Sequence, residues 1–301
     1  MGTILVGTAS WTDKTLIDSK AFYPAEAKSP EARLRYYASR FPLVEIDATY
    51  YALPAERTAQ MWAERTPDGF TFNVKAFRLF TGHQAQLRAL PADIRTALQP
   101  GAPDKFYLRD LSPEIQHELW RRFRLGLEPL RASGKLGAVL LQYAPWFVFG
   151  RESFEFIEHC AHMLEGYRLA VEFRNKSWFG EKTRERVLAF ERERELVHVV
   201  VDEPQGFASS IPQVWEVTCP ELVVFRLHGH NREMWTKKGL ATSAERFNYL
   251  YSTAQLNELI EPVQELARKA KRVHVLFNNC HGDKAQRNAT EFRELLTRLA
   301  A

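Results

Sequence analysis

The stretch Ala170-Val171-Glu172-Phe173-Arg174 combines an apolar, partly β-branched run with two charged residues spaced two apart. Side chains at positions i and i+2 of a strand lie on one face of a sheet. The stretch therefore predicts a buried strand that presents Glu172 and Arg174 together at its C-terminal end. Because buried charges are costly unless they are paired or used, such an end is a candidate for a site.

The same pattern recurs in three further segments and, less regularly, in a fourth. The segments are Leu43-Val44-Glu45-Ile46-Asp47, Phe72-Asn73-Val74-Lys75, Val224-Phe225-Arg226-Leu227-His228 and Val275-Leu276-Phe277-Asn278-Asn279. In the last of these, Asn278 interrupts the alternation, so that Asn279 and His281 are the polar residues two apart. If the strands are parallel in one barrel, their polar ends meet at a single site.

Short apolar runs alternate with amphipathic stretches along the whole chain, which indicates repeated βα units around a parallel sheet. The predicted strands are 4–8, 43–48, 70–76, 136–142, 168–174, 197–202, 222–228 and 272–278. The predicted helices are 55–65, 113–132, 153–164, 181–195, 253–270 and 285–299. This rhythm favours a single α/β domain over 1–301, a (β/α)8 TIM-type barrel with long loops at 77–112 and 229–252, after strands 3 and 7. An open doubly wound sheet is less favoured because no Gly-rich turn follows the first strand.

Composition and charge set broad limits on function. An apolar fraction of 45% over 301 residues supports a sizeable core, and the net charge of +4, from 41 basic and 37 acidic residues, is too small to indicate nucleic-acid binding by itself. Three scattered cysteines favour reduced thiols, and no leader or membrane-spanning run is recognisable. We therefore expect a cytoplasmic protein with no membrane partner.

In barrels of this kind the C-terminal ends of the strands form the active site. The candidate catalytic residues are Glu45, Asp47, Glu172, Asp202 and His228. The candidate substrate-binding residues are Asn73, Lys75, Gln142, Arg174, Arg226, Asn278, Asn279, Trp235 and Tyr50. The alternative is a ring of structural ion pairs at the top of the barrel, since such networks also gather ionisable groups.

The cations among these residues point to an anionic ligand. Lys75, Arg174 and Arg226 could converge on a phosphate or carboxylate, unless each of them neutralises a neighbouring carboxylate. The carboxylates and histidines include ligand types used for divalent ions, but their spacing matches no zinc motif and the cations would repel a metal. A divalent metal is therefore possible but not favoured, and the cofactor is unknown. Cys280, beside His281, is a less favoured candidate nucleophile.

The loop at 229–252 interleaves basic and aromatic residues, including Trp235, Lys237 and Lys238. Such a mixture can stack on bases or sugars and contact phosphate, which makes nucleic acid a possible partner. A lid whose aromatic side chains pack on the barrel rim explains the loop equally well.

Several motifs in fixed order resemble the YecE-like family, also called domain of unknown function 72. They are Gly7-Thr8-Ala9-Ser10-Trp11, Phe22-Tyr23-Pro24, Tyr36-Tyr37-Ala38-Ser39-Arg40-Phe41-Pro42, Val44-Glu45-Ile46-Asp47-Ala48-Thr49-Tyr50-Tyr51, Phe72-Asn73-Val74-Lys75-Ala76, Val171-Glu172-Phe173-Arg174, Arg226-Leu227-His228-Gly229 and Phe277-Asn278-Asn279. The resemblance implies a TIM-type barrel and supplies no reaction. This sequence departs from the family pattern at Asp47, where members often have Asn, and at Ala9-Ser10, where many have Ser-Gly.

The leading hypothesis is an enzyme that acts on a phosphorylated or carboxylated small molecule by general acid/base chemistry, with Glu172 or Glu45 as the proton-transfer group. The alternatives are a nucleic-acid-binding or phosphodiester-processing protein and a barrel that binds a metabolite without turning it over.

Overall fold

Eight parallel strands close into a barrel in the computed structural model of the protein, which describes residues 1–98, 104–240 and 242–300. The strands in chain order are β1 Thr3–Ala9, β2 Leu43–Ile46, β3 Thr71–Lys75, β4 Ala85–Gln86, β5 Lys105–Phe106, β6 Leu136–Gln142, β7 Leu169–Glu172, β8 Val197–Asp202, β9 Val223–Leu227 and β10 Arg272–Phe277. The order around the barrel is β1-β10-β9-β8-β7-β6-β3-β2, while β4 and β5 form a separate antiparallel pair. The predicted TIM-type barrel and its eight strands are confirmed.

Pairing of the first and last strands closes the barrel. Val6 of β1 lies opposite Val275 of β10, and Gly7 lies opposite Leu43 of β2, both in parallel register. Gly7 is required at this contact, since a Cβ atom there would overlap the carbonyl oxygen of Leu43. The strands are rich in Val, Leu and Phe because both of their faces are buried, one in the barrel and the other beneath the helices.

The longer helices form the outer layer of the barrel, and shorter ones lie in its connections. They are α1 Lys14–Ser19, α2 Pro30–Arg40, α3 Ala48–Tyr51, α4 Glu56–Glu64, α5 Ala92–Ala97, α6 Pro113–Ala132, α7 Arg151–Met163, α8 Arg184–Glu193, α9 Arg232–Trp235, α10 Thr253–Lys269 and α11 Lys284–Ala300. The six predicted helices correspond to α4, α6, α7, α8, α10 and α11. The prediction missed α2, although Ser29 caps the backbone N–H of Ala32 and Pro30 occupies the first turn, which is a recognisable start signal.

The long connections at the C-terminal face carry structure of their own. The 77–112 loop contains β4, α5 and β5, and the 229–252 loop contains α9; residues 99–103 and 241 of these predicted loops lie outside the described residues. A third long connection, 203–222 between β8 and β9, is fully described and holds no helix. It replaces the helix expected of a regular βα unit. Within the described residues, no helix has the length and apolar character needed to cross a bilayer.

Candidate active site at the barrel mouth

The centre of the barrel mouth is a buried cluster of three charged side chains. Arg226 from β9 donates one hydrogen bond to Glu45 Oε1 of β2 at 2.5 Å and another to Glu172 Oε2 of β7. All three side chains are fully buried. Although burial lowers the pKa of Arg226, the two carboxylates outweigh that effect and raise it. Arg226 is therefore committed to the protein, which is the ion-pair alternative for this cation rather than the substrate-binding role predicted from the sequence.

Glu172 is held by donors on both of its oxygens. Besides Arg226, its Oε1 accepts a hydrogen bond from Gln142 Nε2 at 2.6 Å and lies 3.2 Å from His228 Nε2. Arg174 Nη1 lies 3.6 Å from the same oxygen. Burial alone would raise the pKa of Glu172, but the charge of Arg226 and these neighbours hold it well below its usual range. Glu172 is therefore an anchored carboxylate and a poor proton carrier near neutral pH.

The hydrogen bonds of His228 define its tautomer. The amide nitrogen of Asn278 lies 2.8 Å from His228 Nδ1 and can only donate, so Nδ1 accepts and the ring proton is on Nε2. That N–H then faces Glu172. Burial lowers the pKa of His228 to about 4, despite the neighbouring carboxylate, so the imidazole is neutral. His228 and Asn278, two of the predicted site residues, thus orient Glu172.

Glu45 differs from Glu172 because only one of its oxygens is bonded. Glu45 Oε2 is buried and has no hydrogen-bond partner among the described residues. Burial raises the pKa of Glu45 to about 7 against the lowering effect of Arg226, and Asp47 adds to the rise. Asp47 itself lies 3.5 Å from the ammonium group of Lys75 at the outer edge of the cluster. Glu45 is therefore suited to take up and release a proton near neutral pH.

The strand-end carboxylate of β8 that faces the mouth is Glu203 and not the predicted Asp202. Glu203 Oε2 lies 3.6 Å from Arg174 Nε, and its Oε1 accepts the backbone N–H of Ile211 at 2.9 Å. Burial raises the pKa of Glu203 to about 7, against the lowering effect of Arg174. The side chain of Asp202 instead accepts hydrogen bonds from Tyr251, at 2.5 Å, and from Gln213 and His230, away from Arg226.

The alternation of side chains along β8 explains why Glu203 faces the mouth, once the structure shows which face of the strand meets the helices. Residues 199, 201 and 203 share one face of a strand, and residues 198, 200 and 202 share the other. His198 lies outside the barrel beside Glu191 of α8, which assigns its face to the helix layer. A strand that continues to position 203 therefore turns Glu203 inward and Asp202 outward.

Three cations surround an aromatic pair at the outer part of the mouth. The Lys75 ammonium lies 4.8 Å from the centre of the Tyr50 ring, and the Arg78 guanidinium lies 5.0 Å from it. His83 packs edge-on against Tyr50 with ring centres 5.4 Å apart. Burial, then the charges of Lys75, Arg78 and Arg174, lower the pKa of His83 to about 3. The positive potential of three cations is thus concentrated here. Arg78 and His83, both in the 77–112 loop, were not among the residues predicted from the sequence.

Several N–H donors of the cations at the mouth have no close hydrogen-bond partner among the described residues. The Nε atoms of Arg78 and Arg174 are buried and have no hydrogen-bond partner in the described part of the chain. Carboxylate oxygens approach Arg174 only to 3.6 Å and Lys75 only to 3.5 Å. Buried polar groups are normally satisfied, so these donors can bind a further hydrogen-bond acceptor.

The remaining predicted residues have packing or anchoring contacts. Trp235 is 4% exposed and lies beneath the Arg174 guanidinium, 5.0 Å from ring centre to cation. Asn279 donates to the carbonyl of Tyr249 and to the side chain of Asn288, which ties the 229–252 loop to α11. Asn73 lies deeper in the barrel, where its Oδ1 is 3.0 Å from His274 Nδ1. The structure does not bring Asn73, Asn279 or Asp202 into the Glu45–Arg226–Glu172 cluster.

Two other chemistries were considered from the sequence. In residues 1–98, 104–240 and 242–300, no group of three or more His, Cys, Asp or Glu side chains is arranged to hold a metal ion. Burial raises the pKa of Cys280 well above its usual range, and its thiol donates to the carbonyl of Ala9 at 2.9 Å. Cys280 is therefore a protonated packing residue in this structure.

Comparisons with known proteins agree with the barrel architecture. A family model described as protein of unknown function DUF72 matches residues 5–301. The chain is 33% identical over 295 residues to the UPF0759 protein YunF of Bacillus subtilis (strain 168), covering 97% of this chain and 94% of that relative. A solved DUF72 family protein from Enterococcus faecalis V583 is similar with a TM-score of 0.80 and 27% identity, over 98% of this chain and 96% of that one. Another, from Thermotoga maritima MSB8, has a TM-score of 0.76 and 30% identity over 98% and 99%.

Proposed function

The chain belongs to the DUF72 family of proteins of unknown function, and we propose that it is an enzyme that binds the anionic group of a small substrate at the barrel mouth and transfers protons with Glu45 and Glu203. The anionic group is a phosphate or a carboxylate. Lys75, Arg78 and Arg174 bind it, and Arg226 supports the site from below.

The unpartnered donors at the mouth are the observation that carries this proposal. The buried Nε–H of Arg78 has no hydrogen-bond partner among the described residues, and the Nε of Arg174 comes no closer than 3.6 Å to Glu203 Oε2; both side chains lie near Lys75 around Tyr50. Arginine presents planar donors that match phosphate and carboxylate oxygens, and lysine adds a point charge. An anion placed among these three cations would satisfy the donors.

The charge balance at the mouth also favours an anion. Five cations and five carboxyl groups lie at or near it: the cations are Lys75, Arg78, Arg174, Arg226 and Arg246, and the carboxyl groups are Glu45, Asp47, Glu172, Asp202 and Glu203. Burial raises the pKa of both Glu45 and Glu203 to about 7, so each is only partly ionised at neutral pH. The mouth is therefore positive before a ligand binds.

The two carboxyl groups with raised pKa are placed as an acid and a base need to be. Glu45 lies on β2 and Glu203 directly follows β8. These two strands lie on opposite sides of the eight-stranded ring. A group whose pKa is near the working pH is the most effective at transferring protons. Glu172, which stays ionised, keeps Arg226 and His228 in place between them. Of the two alternatives expected from the sequence, Glu172 or Glu45, this assignment keeps Glu45 and adds Glu203.

Anion binding is tested by calorimetric titration with sulfate, which keeps its charge between pH 6 and 8. Arg174→Gln should weaken sulfate binding, on the order of 10-fold for one charge-assisted contact. Arg186→Gln is the matched control, because Arg186 also stacks on aromatic rings but lies exposed on α8. Binding should strengthen from pH 8 to pH 6 as Glu45 and Glu203 become protonated. Equal binding by both variants would reject the site.

Proton transfer is tested by screening phosphorylated and carboxylated small molecules for product formation by NMR. Glu45→Gln and Glu203→Gln should each abolish turnover of a substrate found in this way and retain its binding. Turnover that survives both substitutions would refute their role. If ligands bind and no product forms under any condition, the barrel is a metabolite-binding protein instead.

Trp235 is buried under Arg174, so it offers no stacking surface to support the nucleic-acid hypothesis.

A further inference from the structure

An apolar groove opens beside the cation cluster, between the β3–α6 and β6–α7 connections. It has a volume of about 420 Å³, and its apolar walls include Leu79, Tyr107, Trp146, Phe147, Val148 and Phe156. Volumes in this range suit a small-molecule ligand. Trp146 and Val148 are 58% and 49% exposed, which is unusual for side chains of this size and polarity.

Trp146 is exposed and yet fixed in orientation. Its only polar atom, Nε1, donates a hydrogen bond to the carbonyl of Gly82 at 3.2 Å. The part of the indole that remains exposed is therefore carbon surface, held in place by the loop that also carries His83. A flat hydrophobic surface that is already oriented can stack on a ligand without paying for the ordering of its side chain.

The His83 ring lies between the groove and the anion site and contacts one aromatic ring of each. The His83 ring lies 5.5 Å from Trp146 on one side and 5.4 Å from Tyr50 on the other. Lys75 and Arg78 lie over the Tyr50 ring. A ligand whose charged end sits among the cations would therefore have to extend past His83 to place its aromatic body on Trp146.

We propose that the substrate is an aryl anion, a planar aromatic body that carries a phosphate or carboxylate, with its ring on Trp146 in the groove and its charge among Lys75, Arg78 and Arg174. This inference rests on the proposed function and assigns the substrate class. An aromatic body fits better than a polar sugar because the walls offer carbon surface and ring edges. The two charged residues of the groove, Arg109 and Glu152, are opposite in sign, so the groove adds no net charge of its own.

The test compares four probes by calorimetric titration of the whole protein: inorganic phosphate, 1-naphthyl phosphate, cyclohexyl phosphate and 1-naphthol. We expect 1-naphthyl phosphate to bind about 10- to 100-fold more tightly than inorganic phosphate, from buried apolar area and ring stacking. Cyclohexyl phosphate should bind between these two, and 1-naphthol should bind far more weakly than its phosphate. Trp146→Ala should remove most of the gain for 1-naphthyl phosphate and leave the affinity for inorganic phosphate unchanged.

Leu125→Ala is the control variant, because Leu125 is an exposed apolar side chain in a different groove, on α6. It should change none of the four affinities. If inorganic phosphate binds and 1-naphthyl phosphate binds no tighter, or if the gain survives Trp146→Ala, the aryl-anion inference is overturned and the anion site remains. If none of the phosphates binds, the proposed function fails first and the inference fails with it. If 1-naphthol binds as tightly as its phosphate, the groove acts independently of the cations and the inference is wrong.

Discussion

Replacement of Arg226 with Met removes the cation that two buried carboxylates share. Arg226 bonds Glu45 and Glu172, and all three side chains are fully buried. Removal of one partner from a buried ion pair costs about 3–5 kcal/mol, because an uncompensated charge is left behind. Arg226→Met should therefore lower the free energy of unfolding by about 3–5 kcal/mol at pH 8. The change is measured by urea unfolding, followed by tryptophan fluorescence and by circular dichroism.

The loss in free energy of unfolding should be larger at high pH than at low pH. Without the guanidinium, the pKa of both Glu45 and Glu172 in the folded protein should rise, because burial raises each of them and Arg226 is the largest influence that lowers them. A carboxyl group whose folded-state pKa is raised binds protons more tightly when folded, so folding is favoured below the unfolded-state pKa and is penalised as pH rises through the folded-state value. The deficit of Arg226→Met relative to the unsubstituted protein should therefore shrink as the pH is lowered from 8 to 5.

Two further variants separate this cause from a general loss of packing. Arg121→Met removes an exposed arginine that pairs with Glu118 on the surface of α6, and it should leave the urea midpoint essentially unchanged. Glu45→Leu in the Arg226→Met background removes an orphaned carboxylate whose other oxygen has no partner among the described residues, and it should recover part of the lost stability. A deficit that is below about 1 kcal/mol at pH 8, or that is the same at pH 5, would refute the reasoning.

Three other predictions follow from single contacts. Lys135, nearly buried at the N-terminal end of the barrel, donates to two carbonyls and a hydroxyl near the end of α4, at 2.6, 2.7 and 3.2 Å; Lys135→Met should cost about 2–3 kcal/mol by urea unfolding. Gly7→Ala should prevent soluble folded expression because its Cβ would overlap the Leu43 carbonyl, whereas Gly150→Ala, with open space around it, should fold normally. Burial raises the pKa of Glu203 to about 7. Ionisation of Glu203 should therefore lower the free energy of unfolding by roughly 3 kcal/mol as the pH rises from 5 to 8. Glu203→Gln should make the free energy of unfolding less dependent on pH over this range.

The barrel was predictable because its signals are local. Side chains of a strand alternate between its two faces with a period of two residues. Five residues of sequence are therefore enough to predict both a strand and the face shared by Glu45 and Asp47, or by Arg226 and His228. The recurrence of that pattern with intervening amphipathic helices was sufficient to give the closed parallel barrel and the end of it that carries the polar residues. The missed α2 also had a local signal, in Ser29 and Pro30.

The partners of each charge were decided only by the tertiary structure. Arg226 bonds a carboxylate 181 residues away in sequence, and that contact converts a predicted ligand-binding cation into a buried structural one. At the end of β8, Glu203 points into the barrel and Asp202 does not. Which of the two points inward depends on which face of the strand packs against the helices. Arg78, His83 and Trp146 reach the mouth from loops that have no periodic pattern. The sequence by itself thus determined the strands and the end of the barrel at which the polar residues gather. Only the folded barrel determined which charges are paired and which are not, because ion pairing depends on distances between strands that are remote in the chain.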